Sequence, residues 1–407
     1  MYVFTRTNGT WTQQAYIKAS NAQAGDGFGG HVALSGDTLA VTASGEDSCA
    51  TGINGNQLDN SCIAGAGAVY VFTRTNGEWS QQAYLKAAHT LLDNLTNGFG
   101  RSSLALEGET LAVSAVADTS CAIGINGDPS DTNCGPAGAV YVFSRTNGVW
   151  TQQAYIKPTV LFPTVAYDFG SSVALSGDTL AVGSQNISCP SNIGGGCLAL
   201  PGSAYVFRRS NGAWTQEALI QAGENTSGFG RTMALSSDTL AVTAPGIFSD
   251  AGTVYVFTRS GGTWSQQAFV TGSNTESGDS FGSSIAILGD TLAVGAEREA
   301  SCATGIDGSQ ADNSCRAAGA VYVFNRRAGV WNQQAYVKAT NTDPRDGFGG
   351  LRDIEGFVFF PGSVALTSNG TLAVGAPGES SCASGINGNQ MDNNCLDAGA
   401  VYVYALQ

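Results

Sequence analysis

The chain repeats itself, and that repetition limits what it can become more than any other feature. Six tryptophans (Trp11, Trp79, Trp150, Trp214, Trp264, Trp331) open six near-copies of one Gln-rich segment, 50 to 71 residues apart. Six Phe-Gly pairs, at Phe28, Phe99, Phe169, Phe229, Phe281 and Phe348, keep step with them. The unit reads best over residues 27–86: a Phe-Gly pair, Val-Ala-Leu, a Ser-Gly-Asp turn, Thr-Leu-Ala-Val, a loop bounded by cysteines, Val-Tyr-Val-Phe, and then Trp-x-Gln-Gln-Ala-Tyr. Tandem units bury their faces against their neighbours, so the core is distributed along the array. Residues 1–407 are therefore read as one domain, although that length would ordinarily suggest two or three. No single stretch stands out as a unique active site.

Each unit carries four strand signals. The first follows Phe-Gly (Val32-Ala33-Leu34, Val173-Ala174-Leu175), and the second is Thr-Leu-Ala-Val. The third is Val-Tyr-Val-Phe, which ends in a Thr-Asn-Gly hairpin signal (Thr75-Asn76-Gly77), and the fourth holds Trp and Gln-Gln-Ala-Tyr. No stretch has a helical period. Leu39-Ala40-Val41 and Val69-Tyr70-Val71-Phe72 are apolar on both sides, as strands buried on both faces must be. Four-stranded antiparallel blades, each packed between two others, meet that demand. The expected fold class is an all-β β-propeller.

The strand count leaves its closure open. There are six first, second and fourth strands but seven third strands, from Tyr2 to Tyr402. Either Trp11–Lys18 completes the last of six blades, with the hairpin 2–18 beside residues 400–405, or a seventh blade lacks its first two strands. Met1 stands where Val69 stands later, with no signal-peptide pattern after it, so the chain reads as a fragment of a longer one. Long loops at 44–66, 116–136, 184–201, 297–317 and 377–397 separate second from third strands, whereas the loop at 245–251 is short. An apolar insertion at 351–361 has no counterpart in the other units.

Composition excludes two classes of partner. With 18 basic against 32 acidic residues and a net charge of −14, there is no cluster of Lys and Arg to hold a phosphate backbone, so nucleic acid is not expected. No run approaches the roughly 18 apolar residues of a membrane-spanning helix, so no membrane span is expected.

Phe-Gly followed at strand distance by Gly-Ala-Pro or Ala-Pro (Phe348-Gly349 with Gly375-Ala376-Pro377; Phe229-Gly230 with Ala244-Pro245) resembles the FG-GAP repeat of integrin α-subunit propellers. Trp-x-Gln-Gln-Ala-Tyr-x-Lys-Ala, Gly-Asp-Thr-Leu-Ala-Val-Gly-Ala and the Gly-Ile-Asn-Gly-Asn-Gln-x-Asp-Asn loop together resemble, more specifically, bacterial secreted FG-GAP proteins. The resemblance runs through nearly the whole chain. It implies a propeller, often seven-bladed, an extracellular setting, and interaction rather than catalysis. The sequence departs from it at the Asp-x-Asp-x-Asp-Gly calcium loop, whose place holds only a tight Ser-Gly-Asp turn, too short to wrap six or seven oxygens. Calcium is not carried over, and no cofactor is expected; a cation at the Asn/Asp loops is the weaker alternative.

Ten cysteines form five couples inside single loops: Cys49 with Cys62, Cys121 with Cys134, Cys189 with Cys197, Cys302 with Cys315, and Cys382 with Cys395. A zinc site wants four ligands in tighter couples, and the chain has only two histidines, so disulfides in an oxidising compartment are expected. The loop 52–60 recurs at 124–133, 305–313 and 385–393 and is rich in oxygen ligands. Asn54, Asn56, Asp59, Asp307, Asp312, Asn387, Asn389 and Asp392 are the candidate contacts for a protein or glycan ligand. The competing reading is that these Asn and Asp side chains cap their own turns.

The expected function is a non-enzymatic extracellular or cell-surface binding or adhesion platform that presents the long loops on one face. A propeller-based hydrolase or lyase at the channel mouth is the alternative, with His31, Arg101 and Arg231 as its only unrepeated polar candidates; His89 says less. Asp37, Asp178, Asp238 and Asp290 recur at one turn and are too dispersed for acid–base work. A structural module of a larger surface protein, with attached modules as partners, is the third reading.

Overall fold

The computed structural model describes residues 1–406 apart from 63–64, 89–97, 131, 133, 160–167, 186, 189–197, 200–201, 224–225, 227, 246–250 and 351–363. His89, the couple of Cys189 and Cys197, the short loop and the 351–361 insertion thus lie outside the described residues.

The chain opens on a hairpin of β1 (Tyr2–Thr7) and β2 (Thr10–Tyr16), which form a two-stranded sheet of their own. Blade I follows, with β3 (Phe28–Ser35), β4 (Thr38–Ala43), β5 (Ala68–Thr75) and β6 (Glu78–Leu85) side by side in sequence order. The same antiparallel order builds blade II from Phe99–Glu107 to Val149–Ile156, blade III from Val173–Ser176 to Ala213–Gln221, blade IV from Met233–Ser236 to Thr263–Val270, and blade V from Phe281–Leu288 to Val330–Val337. Blade VI has three strands among the described residues, Val364–Leu366, Thr371–Ala376 and Ala400–Ala405. There is no helix among them, and the fold class is the β-propeller the repeats call for.

Two motifs recur together because they pack together. The Phe of each Phe-Gly pair stands edge-on to the Tyr of its own third strand, and in five blades to the last aromatic of that strand as well: Phe28 lies 5.6 Å from Tyr70 and 6.2 Å from Phe72, both T-shaped. Phe348 repeats this with Tyr402 and Tyr404 in blade VI. In blades I to V the Gly before the third strand is needed for the next blade to approach. At Gly67 (φ +76°) an added Cβ would lie 2.2 Å from the carbonyl oxygen of Phe99.

The doubled Gln also has a cause. In β5–β6 the register runs Val71↔Ala83 and then Phe72↔Gln81, leaving Gln82 as a bulge. The same shift releases Gln14 in the hairpin and Gln267 in blade IV. One Gln stays in the ladder; the other is turned out toward the next blade.

The described residues form two compact units, Met1–Leu200 with Tyr205–Leu219, and Pro201–Ala204 with Ile220–Gln407. In the first, apolar clusters lie between the hairpin and blade I, between blades I and II, and between blades II and III. In the second they lie between blades IV and V and between V and VI. Met1, Val3, Ala15 and Ile17 of the hairpin pack on blade I, as Val69, Val71, Ala83 and Leu85 of blade I pack on blade II. The hairpin thus behaves as the outer half of a blade ahead of blade I.

Candidate functional site

The Cys loops are closed by disulfides, and those of blades I, II and V fold back on their own blade. Cys49–Cys62, Cys121–Cys134, Cys302–Cys315 and Cys382–Cys395 are each bonded within one loop, with Cα atoms 4.9–5.1 Å apart. These are four of the five bridges that the sequence leads one to expect. The fifth, between Cys189 and Cys197 in the blade III loop, falls outside the described residues. In blade I the loop then docks on the end of β6: Lys86 N–H donates to Gly52 O (2.8 Å) and Asn54 N–H donates to Tyr84 O (2.7 Å). Ile53 adds a bridge to Leu85, as Ile125 does to Ile156 and Ile306 to Val337.

Of the eight proposed ligand residues, five cap their own turns and two tie the loop to the fourth strand. Asn54 Oδ1 accepts from Tyr84 N (3.0 Å) and Asp307 Oδ1 from Tyr336 N (2.9 Å). Only a carbonyl-type oxygen is used there, so Asn and Asp interchange. Their φ values near +54° are left-handed, a region Asn and Asp tolerate better than most residues. Asn56 and Asn389 accept from the N–H two residues on, Leu58 and Met391, at 3.1 Å. Asp59, Asp312 and Asp392 accept likewise from Ser61, Ser314 and Asn394. Asn387 shares the left-handed backbone, but its side chain makes no hydrogen bond among the described residues. Within each loop these side chains turn inward rather than toward one point. No group of three or more His, Cys, Asp or Glu among the described residues is placed to hold a metal ion.

The intervening Gln ties the loop to the connection ahead of its blade. Gln310 Oε1 accepts from Ser273 Oγ (2.8 Å) and Gln390 Oε1 from Thr340 Oγ1 (2.7 Å). Asn21 and Asn341 donate to the backbone carbonyls of Gln57 and Gln390. What remains outside is the next residue: Leu58 is 81% exposed and Met391 83%. The cysteine couple and the Gly-Ile-Asn/Asp-Gly turn recur while the tip differs, with Leu58, Ser130, Ala311 and Met391 in the four loops.

Beneath the loops lies a feature that the sequence reading missed. Lys86 Nζ meets Glu46 Oε2 at 2.7 Å, Lys157 Nζ meets Asp118 Oδ1 at 2.9 Å, and Lys338 Nζ meets Glu299 Oε2 at 2.7 Å. All six side chains are essentially buried. Desolvation pulls each lysine below its ordinary pKa, partly opposed by its carboxylate. A signal was available: the acid stands three residues before the first Cys of the loop, and the Lys two after the fourth-strand Tyr. In blade III Asn186 and Gln221 replace the two together.

At the opposite ends of the strands the recurrent turn acids are paired with arginine. Arg74 contacts Asp37 (2.6 Å), lies 5.4 Å from the centre of the Trp79 ring and donates to Gln14, which also accepts from Trp79 Nε1 (3.0 Å). Arg145, Glu109, Trp150 and Gln82 repeat the set one blade on, as do Arg209, Asp178, Trp214 and Gln153. Each arginine thereby joins its blade to the bulged Gln of the preceding one.

Of the enzyme candidates, His31 and Arg101 meet through a contact to the backbone. His31 is buried on β3, its Nε2 2.9 Å from the backbone carbonyl of Arg101, and burial holds its pKa down. Ser103 at the same strand position accepts from Val173 N of its next blade, and Ser284 donates to Gly349 O. This polar position links blades. Arg101 contributes its carbonyl and leaves its side chain exposed, and Arg231 lies on blade IV.

Residues 11–72 and 264–324 match the family model of the FG-GAP repeat. The chain carries FG-GAP repeats. The two matched segments span the hairpin's fourth strand through β5, and the fourth strand of blade IV through the third of blade V. Each FG-GAP segment thus includes one complete junction between successive blades. No curated protein matches the chain.

Proposed function

We propose that this FG-GAP propeller is a non-enzymatic, extracellular or cell-surface binding platform, with a protein or glycan ligand met by the Cys-loop face. One observation supports this above others: four loops share a frame fixed by a disulfide and Asx turns, three of them also docked on their fourth strand, while the exposed tip changes from Leu58 to Ser130, Ala311 and Met391. Rigid scaffolds that vary only at loop tips are suited to recognition, because little conformational entropy is lost when the tips bind. The Asn and Asp side chains act here as scaffold, and the contacts belong to the tips and the residues beside them. No helix among the described residues is long and apolar enough to cross a membrane. Disulfides in every described long loop favour an oxidising setting.

The test is binding to defined arrays of glycans and matrix proteins by the native chain and by a Leu58→Ser, Met391→Ser variant. Both positions are highly exposed, so the variant should fold normally and lose or redirect binding. A ligand held equally well by both proteins would refute the loop-tip assignment. Hydrolase or lyase turnover abolished by His31→Ser would refute the non-enzymatic reading.

A further inference from the structure

In blades I, II and V the Cys loop lays a short segment along the outer edge of its own fourth strand. Lys86 N–H donates to Gly52 O, Asn54 N–H donates to Tyr84 O, and Asn54 Oδ1 accepts from Tyr84 N. Gly124-Ile125-Asn126 makes the same three bonds to Tyr155 and Lys157, and Gly305-Ile306-Asp307 makes them to Tyr336 and Lys338, all at 2.7–3.0 Å. The Gly (φ +69° to +72°) and the Asn or Asp (φ +54° to +58°) are left-handed, so the bridging Ile stands between two bends. Gly-aliphatic-Asx is therefore what this edge takes.

Blade IV presents the same edge uncovered. Its register Tyr255↔Phe269 and Val256↔Ala268 is that of Tyr70↔Tyr84 and Val71↔Ala83. The Phe269 N–H and C=O and the Thr271 N–H thus point outward, as those of Tyr84 and Lys86 do. Among the described residues neither Phe269 nor Thr271 has a backbone hydrogen bond beyond the sheet. Phe269 is 68% exposed, whereas Tyr84, Tyr155 and Tyr336 are 0–4%. The connection between second and third strands is too short to supply a cover. Its eight residues, 245–252, span at most about 29 Å. Passing out around two strands and back crosses about 24 Å, and three residues laid along the edge need about 10 Å more. Blade I has 24 residues, 44–67, for the same excursion.

Two replacements say what kind of occupant fits. Lys86, Lys157 and Lys338 each reach a buried acid beneath the loop; Thr271 has no ammonium, and Phe269 has no hydroxyl. The occupant of blade IV therefore brings apolar cover rather than an acid. The Gly-Ile-Asx segments of blades I, II and V are already bonded to their own strands, so they are not free to cross to it.

We propose that the outer edge of blade IV at Phe269–Thr271 is a docking site for a partner protein's loop that carries Gly-aliphatic-Asx. The Gly carbonyl accepts from Thr271 N–H, the Asx N–H donates to Phe269 C=O, the Asx side-chain oxygen accepts from Phe269 N–H, and the loop covers the Phe269 ring. This is strand addition reduced to its shortest form: main-chain bonds hold the segment, and the two bends select it. It stands independently of the loop-tip reading.

The probe is the disulfide-closed peptide of residues 301–316, which carries Gly305-Ile306-Asp307. Titrated into the full chain and followed by fluorescence anisotropy, it should bind and slow hydrogen exchange at the Phe269 and Thr271 amides. Asp307→Ala in the peptide should weaken binding about tenfold, since one acceptor is lost. Reducing the peptide should also weaken it, because the bends are no longer held in place. Phe269→Ser in the chain changes an exposed position, so the variant should fold normally and bind about tenfold more weakly. The Leu58→Ser, Met391→Ser variant should bind the peptide as the native chain does, which separates this site from the loop tips. A chain that ignores the peptide at millimolar concentration overturns the proposal. Binding that leaves the two amides unprotected, or that survives Phe269→Ser, overturns the site. Amides already protected in the free chain would put another part of the same chain on the edge, and protection that grows with chain concentration without peptide would put a second copy there. Either result overturns a partner protein as the occupant.

Discussion

Replacing Lys157 with methionine should be among the most damaging single changes in blade II. Lys157 Nζ lies 2.9 Å from Asp118 Oδ1, and both side chains are fully buried. Asp118 also accepts from Tyr155 Oη at 2.9 Å and Ser120 N at 3.0 Å. Without the ammonium, a buried carboxylate loses its charged partner, which costs about 3–5 kcal/mol. Replacing both partners with apolar residues, Asp118→Leu with Lys157→Met, removes the stranded charge. Tyr155 Oη keeps its contact with Ser120 Oγ at 2.7 Å. That double variant should recover to within about 1–2 kcal/mol of the parent. Repeat arrays open blade by blade, so the readout is hydrogen exchange of Val149–Ile156 and of the 121–134 loop rather than one global transition. A single variant that costs under about 1 kcal/mol, or a double variant as damaged as the sum of its singles, would refute the reasoning.

Further expectations follow the same physics. Burial pushes Asp346 up to about 6, so the folded state holds its proton more tightly than the unfolded chain does; its contribution is present below about pH 4 and lost as pH rises through 6. Asp346→Asn should therefore raise the melting temperature at pH 7.5 and leave it nearly unchanged at pH 4; a pH-independent difference would contradict this. Arg145→Ala loses its stacking on Trp150, 5.2 Å away, and its bonds to Gln82 and Thr38 of blade I, a cost of about 2–4 kcal/mol that Arg145→Lys should not fully restore in urea unfolding. Mass spectrometry of the unreduced protein should find each Cys linked within its own loop, Cys189 to Cys197 included, and opening one loop should cost on the order of 3 kcal/mol locally. Calcium at 100 times a site's Kd would add about 2.7 kcal/mol, so a melting temperature indifferent to calcium and chelator is expected, and a clear rise would reveal a cation site.

Much of the local structure was legible in the sequence. Thr-Leu-Ala-Val, Val-Tyr-Val-Phe and the Gly-centred turns are short-range signals, and their fixed order gave strands, hairpins and blades. Loop cysteines thirteen positions apart could reach each other without knowledge of the rest of the chain. The Asx caps at Asn56, Asp59, Asp312, Asn389 and Asp392 were also local, and both readings of them were available before the structure.

What the sequence alone did not decide were relations between residues far apart along it. Lys157 meets an acid 39 positions earlier, and Arg145 meets a Thr 107 positions away. Neither motif names its partner, because a Lys after Tyr-x or an acid before Cys is an ordinary surface residue until the loop folds over the strand end. The Gln-Gln pair likewise looked redundant until a bulge separated its members, leaving one in the ladder and aiming the other at the next blade's Arg and Trp. Sequence determined the unit, since hydrogen bonding and side-chain alternation act over a few residues. The tertiary structure decided which polar groups are buried, and therefore paired, since desolvation depends on what the neighbouring blade covers.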